Sequence, residues 1–221
     1  MKITYPDITQ PILFEEGFFP SLVIENPTFF YKFVNDIYRQ TCGDDGLAIL
    51  SNNDSQLSIS KNIDLITNYF PFDINTKSLV NKVITELEKQ SSKDEYWERS
   101  QNLLSDIERW ILDLAYTAQI EIESPNLSVI SLLKSSGISI KDDFESLPEK
   151  MLTYMDLMTN FNLARVFVFV NLRSMLDCKT LEFFTDCSCK HGFNFLLVDN
   201  CVTDKLSREK KIIIDNDLCE L

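Results

Sequence analysis

Glycine is scarce in this chain, with five in 221 residues, at positions 17, 43, 46, 137 and 192. Neither G-x-x-x-x-G-K-[ST] nor G-x-G-x-x-G can be written with them, which excludes an ordinary glycine-rich loop for cradling nucleotide phosphates. Histidine occurs once, as His191. Two-histidine metal motifs are thereby removed, and the single imidazole falls at a predicted helix end before Gly192, where capping is its expected role. Long apolar runs are missing too. Val166 to Val170 is among the longest, far short of the ~20 residues that span a bilayer. The amino terminus has one lysine and early prolines in place of a basic region followed by an apolar stretch, so no secretory signal is expected and the expected location is cytoplasmic. Asp199, at the end of a predicted strand, lacks a partner in the sequence, and no other constellation suggests catalysis. The chain is expected not to be an enzyme.

What is present is a folding composition, with 44% hydrophobic residues and enough length to bury a core. Six cysteines occur, at 42, 178, 187, 189, 201 and 219. Without a signal they are expected to be reduced thiols. Cys187-Ser-Cys189-Lys-His191 carries zinc-type ligands, but the pair lacks the two-residue gap of zinc knuckles and no second pair exists. The net charge is −13, from 34 acidic and 21 basic residues. That opposes nucleic-acid binding in sum, because DNA affinity comes from lysine and arginine neutralising phosphates. A local excess of positive charge can still form if several copies gather a few lysines in one channel.

Along the chain, short apolar segments around Ile12-Leu13-Phe14 and Phe18 to Ile24 read as early strands. Pro27 opens a helix with Phe29, Phe30, Phe33, Val34, Ile37 and Tyr38 at helical spacing. Leu47 to Leu50 and Leu57 to Ile59 read as strands around a turn at Asn52 to Asp54. From about 61 to 119 the chain reads as mainly helical. Asp73 and Asn75 are placed to start a helix whose apolar stripe is Leu79, Val80, Val83, Ile84 and Leu87. A bend near Ser91 to Glu95 leads to a second helix, where Trp97, Leu103, Leu104, Ile107, Ile111 and Leu114 supply the facing stripe. Beyond Ile120, helix and strand alternate: a helix from Asn126 or Ser128 to Gly137, a helix over Leu147 to Asn162, a doubly buried strand over Ala164 to Asn171, a helix over Asp177 to Lys190, then strands at Phe193 to Val198 and Ile212 to Ile214. The fold class is α/β with a mainly parallel sheet and a helical insertion. The expected domains are residues 1–60 with 120–221, and 61–119.

Glu121 and Glu123 alternate along an extended stretch, and Asp142, Asp143 and Glu145 cluster after Ile140. Hard cations take several such oxygens, although no EF-hand spacing is present and a solvated acidic face accounts for the same pattern.

Taken in order, Leu65-Ile66-Thr67, Phe72-Asp73-Ile74-Asn75, Leu87-Glu88-Lys89-Gln90, Leu132-Leu133-Lys134-Ser135-Ser136-Gly137-Ile138 and Val166 to Asn171 resemble landmarks of the Csn-two family, the CRISPR-associated adaptation protein of subtype II-A. The resemblance runs from about residue 20 to residue 200 and rests on order and spacing. It implies an ATPase-like head without the nucleotide loop, a helical leg, and a homotetrameric ring that binds the ends of double-stranded DNA without sequence preference, holds calcium, and acts in spacer acquisition with the CRISPR integrase complex and the effector nuclease. By the same resemblance Lys134 and Lys141, flanking Gly137, and Lys61, before the leg, are candidate phosphate contacts. Glu121, Glu123 and Asp142 are candidate calcium ligands. Ser124, Pro125 and Asn126 stand where relatives carry further acids, which leaves fewer carboxylates for an ion. The alternative is a degenerate ATPase-like scaffold that binds other adaptation proteins without contacting DNA.

Overall fold

The computed structural model describes residues 1–53, 55–123 and 125–221; Asp54, at the expected turn, and Ser124 lie outside the described residues. By its internal contacts the chain divides into two compact units, Met1–Phe72 with Asp143–Leu221, and Asp73–Asp142.

The first unit is α/β. A hairpin of β1 (Lys2–Tyr5) and β2 (Ile8–Leu13) precedes β3 (Phe19–Ile24), all six residues of which are buried. Only Glu25 and Asn26 separate β3 from α1 (Pro27–Thr41). Asn26 caps that helix by accepting the Phe29 amide at 3.0 Å, and Pro27 sits at its first position, where a missing N–H costs nothing. β4 (Ile49–Asn52) and β5 (Ser55–Leu57) complete an antiparallel sheet in the order β2-β1-β4-β5. A one-turn helix, α2 (Ile59–Asn62), leads directly into β6 (Ile63–Ile66).

Strand β6 corrects the helical reading of the stretch beginning at residue 61. Four residues with a short apolar run carry no usable period, and pairing decides their state. Here Ile63 to Ile66 align with Val166 to Phe169 as the edge of the main sheet.

The second unit is helical. α3 (Lys77–Ser91) and α4 (Asp94–Thr117) form a hairpin that bends at Ser92 and Lys93, and α5 (Val129–Ser135) packs on α3. The start of α3 departs from expectation, because Thr76, not Asp73 or Asn75, caps it by accepting the Leu79 amide. Asn75 is engaged elsewhere: it accepts the Ile140 amide at 2.6 Å and donates to the Ile140 carbonyl at 3.1 Å. Leu79 and Ile84 are buried as the α3 stripe requires, whereas on α4 only Leu104 is.

The first unit resumes with α6 (Leu147–Asn160), β7 (Val166–Val170), α7 (Cys178–Lys190), β8 (Asn194–Asp199) and β9 (Glu209–Ile214). The main sheet is wholly parallel in the order β6-β7-β8-β3-β9. Strand β7 is buried throughout and flanked on both sides, which is why its sequence is a continuous apolar run without alternation. On one face, Leu22, Ile24, Val168, Leu196 and Val198 join Phe29, Phe33 and Ile37 of α1 and the small sheet in a single core. On the other, Phe19 stacks on Phe195, and Phe184 of α7 meets Phe195 and Phe169.

Candidate functional site

In open parallel sheets ligands bind beyond the carboxyl ends of the strands, where the strand order reverses. The crossover from β3 reaches the far edge at β6, and the chain then returns through β7 and β8 before passing beyond β3 to β9, so the reversal lies around β3 and β8. The two-residue link from β3 to α1 has no length for a phosphate cradle, and Asn26 already takes a first-turn amide. Side chains of the chain itself occupy part of this edge. Tyr69 places its buried hydroxyl 3.2 Å from the Ile66 carbonyl and 3.1 Å from the Val170 carbonyl, over the ends of β6 and β7. Burial, reinforced by the nearby Asp199, pushes the Tyr69 phenol far up.

Beside it lies a charge cluster that the sequence did not reveal. Arg173 follows β7 through a left-handed turn at Asn171, with φ 55°. Its side chain, 8% exposed, donates from Nε to Asp199 at 2.9 Å and from Nη2 to Glu209 at 2.6 Å. Lys211 lies 3.5 Å from the same Glu209 carboxylate and donates to the Thr203 carbonyl at 2.7 Å. Ser21 Oγ donates to Glu209, which also accepts the Leu206 amide at 2.7 Å. Two cations thus meet two carboxylates, and the loop between β8 and β9 is tied down by them. Burial raises the Asp199 carboxyl against the opposing pull of Arg173. Asp199 has no partner visible in the sequence because its partner is 26 residues away, on a turn that no local pattern marks. The pocket left beside Arg173, Thr203 and Leu206 holds about 170 Å³, below the ~300 Å³ of ordinary small-molecule sites.

His191 ends α7: its amide donates to the Cys187 carbonyl at 3.0 Å, its Nδ1 lies 2.9 Å from the same oxygen, and its ring stacks on Phe193. This is the capping role expected of it. All six cysteines are free, and burial pushes the Cys189 thiol up.

The candidate DNA contacts fall in both units. Lys134 lies in the last turn of α5 and Lys141 directly follows Ile140, the residue held by Asn75; both lysines are exposed in the helical unit. Lys61 is exposed at the end of α2 in the α/β unit. Lys134 and Lys61 form no salt bridge among the described residues. Glu121, Glu123 and Asp142 are all exposed. Among the described residues no three acidic, cysteine or histidine side chains gather as a cation site. Calcium takes six to eight oxygens, more than these three side chains supply at one oxygen each. No helix among the described residues is long and apolar enough to cross a membrane.

The least expected surface is α4. Tyr96, Leu103 and Trp110 recur at seven-residue spacing with Leu114 one turn on, and all four are exposed, Trp110 to 60%. Seven-residue spacing keeps side chains on one face of a helix. The expected inward stripe thus holds for Leu104 and fails for Trp97, Leu103 and Leu114, which face solvent.

Comparison with known proteins agrees with the landmarks read from the sequence. The model of a family described as CRISPR-associated protein (Cas_Csn2) matches residues 40–218. A relative from Streptococcus agalactiae, named CRISPR-associated protein Csn2, is 20% identical over 172 residues, covering 77% of this chain and 76% of its own length. With most of its length matched, the chain belongs to the Csn2 family of CRISPR-associated proteins.

Proposed function

We propose that this protein is a non-catalytic ring of four copies that binds the ends of double-stranded DNA without sequence preference, in the acquisition of CRISPR spacers alongside the integrase complex and the effector nuclease. Family membership supports the role in CRISPR adaptation. The observation that carries the assembly is α4, a 24-residue helix with one buried residue and a face of aromatic and aliphatic side chains. Exposed apolar faces of this kind mark surfaces that another protein covers, and a second copy presents the same stripe. Assembly also answers the net charge of −13, because copies arranged around one axis concentrate the field of a few lysines such as Lys134 and Lys141. The partly occupied sheet edge, with its two-residue β3–α1 link, supports a head that holds no nucleotide.

Light scattering combined with gel shifts of linear and closed-circular duplex, at two salt concentrations and with or without calcium, tests this reading. A tetramer whose binding to linear duplex weakens steeply with salt is expected. A monomer, or no shift under any condition, overturns it and favours the protein-binding scaffold.

A further inference from the structure

We propose that the amino-terminal edge of the main sheet, at Lys61 and Arg165, is a contact for the phosphate backbone of duplex DNA. The inference rests on the DNA-binding reading above and adds Arg165, a residue that no motif or resemblance singled out.

Lys61 and Arg165 are 104 positions apart in sequence and come together through strand pairing. Ile63 at the start of β6 is in register with Val166 at the start of β7. One step before that pair, the Arg165 amide donates to the Asn62 carbonyl at 2.8 Å. The Arg165 carbonyl accepts the Asn194 side chain at 3.3 Å, so its backbone is held from both neighbouring strands. Adjacent strands lie ~4.8 Å apart, so Arg165 lies across from Asn62, the residue that follows Lys61 at the end of α2, and both cations belong to the same edge of the sheet. Both residues are exposed.

Other basic residues near the strand starts are already neutralised. Lys190 and Arg208 share Asp186, at 2.6 and 2.9 Å, and Lys210 pairs with Glu15. Lys61 and Arg165 form no salt bridge among the described residues. Of the acids on the neighbouring elements, Asp64 of β6 accepts the Tyr154 hydroxyl at 3.0 Å and Asp156 of α6 accepts the Asn160 amide at 2.9 Å, and neither forms a salt bridge with Lys61 or Arg165. With the backbone of Arg165 fixed from both sides, Lys61 and Arg165 are a pair of exposed cations without a salt bridge among the described residues, in a chain with 13 more acids than bases. The chemistry of the pair fits phosphate oxygens, which accept from a planar guanidinium and from an ammonium alike. A contact of this kind positions the duplex without reading its sequence.

The test is the salt dependence of fluorescence anisotropy for a labelled linear duplex, between 50 and 200 mM NaCl, with the full chain. Each phosphate contact contributes about 0.9 to the slope of log affinity against log salt. Arg165→Ala and Lys61→Ala are each expected to make the slope shallower by about that amount for each protomer touching the duplex, which is roughly threefold less affinity lost across the range. Arg165→Lys retains the charge and keeps most of the slope. Lys179→Ala removes an equivalent charge at the first turn of α7, beyond the opposite end of the strands, and leaves the slope unchanged. In the unaltered protein, duplex is expected to slow acetylation of the Lys61 amine several-fold. If the unaltered protein binds with a steep slope while Arg165→Ala keeps it, or if Lys61 acetylation ignores duplex, this contact is wrong and the DNA reading stands. If the unaltered protein does not bind, both fall.

Discussion

Arg173 and Asp199, 26 residues apart in sequence, form an ion pair of 2.9 Å inside the α/β unit, with side chains 8% and 3% exposed. Glu209 sits on the other arm of the same guanidinium. Desolvating four charged groups is costly, and it is tolerated because each carboxylate has cationic and hydrogen-bonding partners. Removing one partner is therefore worse than never having built the cluster. Arg173→Met strands Asp199 and leaves Glu209 with Lys211 as its one cation, and is expected to lose about 3–5 kcal/mol in urea unfolding. Adding Asp199→Asn should restore part of that loss, because one stranded charge is neutralised. Equal midpoints for the single and double variants would show that the charges do not interact.

Asp64 supplies a pH-dependent counterpart. Burial raises its carboxyl above the usual range, opposed by the hydrogen bond from Tyr154. A raised folded-state value means that the native protein holds the proton more tightly than the unfolded chain, so this group's contribution to stability falls as pH rises from about 4 through the raised value. Asp64→Asn keeps an oxygen for the Tyr154 hydroxyl and abolishes the ionisation. The variant should gain stability relative to the parent as pH rises through that window, with a constant difference above it. Thermal unfolding from pH 3.5 to 7.5 measures this. A difference that shrinks with rising pH contradicts the assignment.

The parts of the fold legible in the sequence were those whose cause is local. Helix α1 carries its own cap and proline, β7 declares its burial by five consecutive apolar residues, and α7 follows an Asp177 that accepts the Lys179 and Thr180 amides. Strand β6 was missed because four residues of an edge strand depend on β7, about a hundred positions away. Asn75 was misassigned for a related reason: its amide suits a helix cap, and a partner 65 residues distant took it instead. At the candidate site, Lys134, Lys141 and Lys61, named from the resemblance as candidate phosphate contacts, are exposed. The cluster around Arg173 and the setting of Arg165 emerge only when the parallel strands are aligned.

Helix α4 separates an assembly face from a chance display of apolar residues. Tyr96, Leu103 and Trp110 form no core within the chain, so replacing them should scarcely alter monomer stability while removing contact area between copies. Trp110→Glu is expected to shift the mass by light scattering from the proposed tetramer to a smaller species, with helical circular dichroism unchanged. Retention of the parent mass by a Leu103→Glu and Trp110→Glu double variant would move the interface elsewhere.

Asn75 and Ile140 close the helical unit near its two ends, one side chain making both backbone hydrogen bonds that a strand neighbour would otherwise make. Lys141 is the next residue, so the clamp also fixes where one candidate phosphate contact emerges. Asn75→Ala leaves a partly buried amide and carbonyl without their partner, a loss of about 1–3 kcal/mol. Asn75→Asp retains the acceptor for the Ile140 amide and loses only the donor, so it should fall between the two. Hydrogen exchange at the Ile140 amide reports this directly: fast in Asn75→Ala and protected in Asn75→Asp. If the Lys141 contact depends on that anchor, Asn75→Ala also weakens duplex binding, and Asn75→Asp does so less. Unchanged exchange in Asn75→Ala would mean that Ile140 is held by the packing of the unit and not by the clamp.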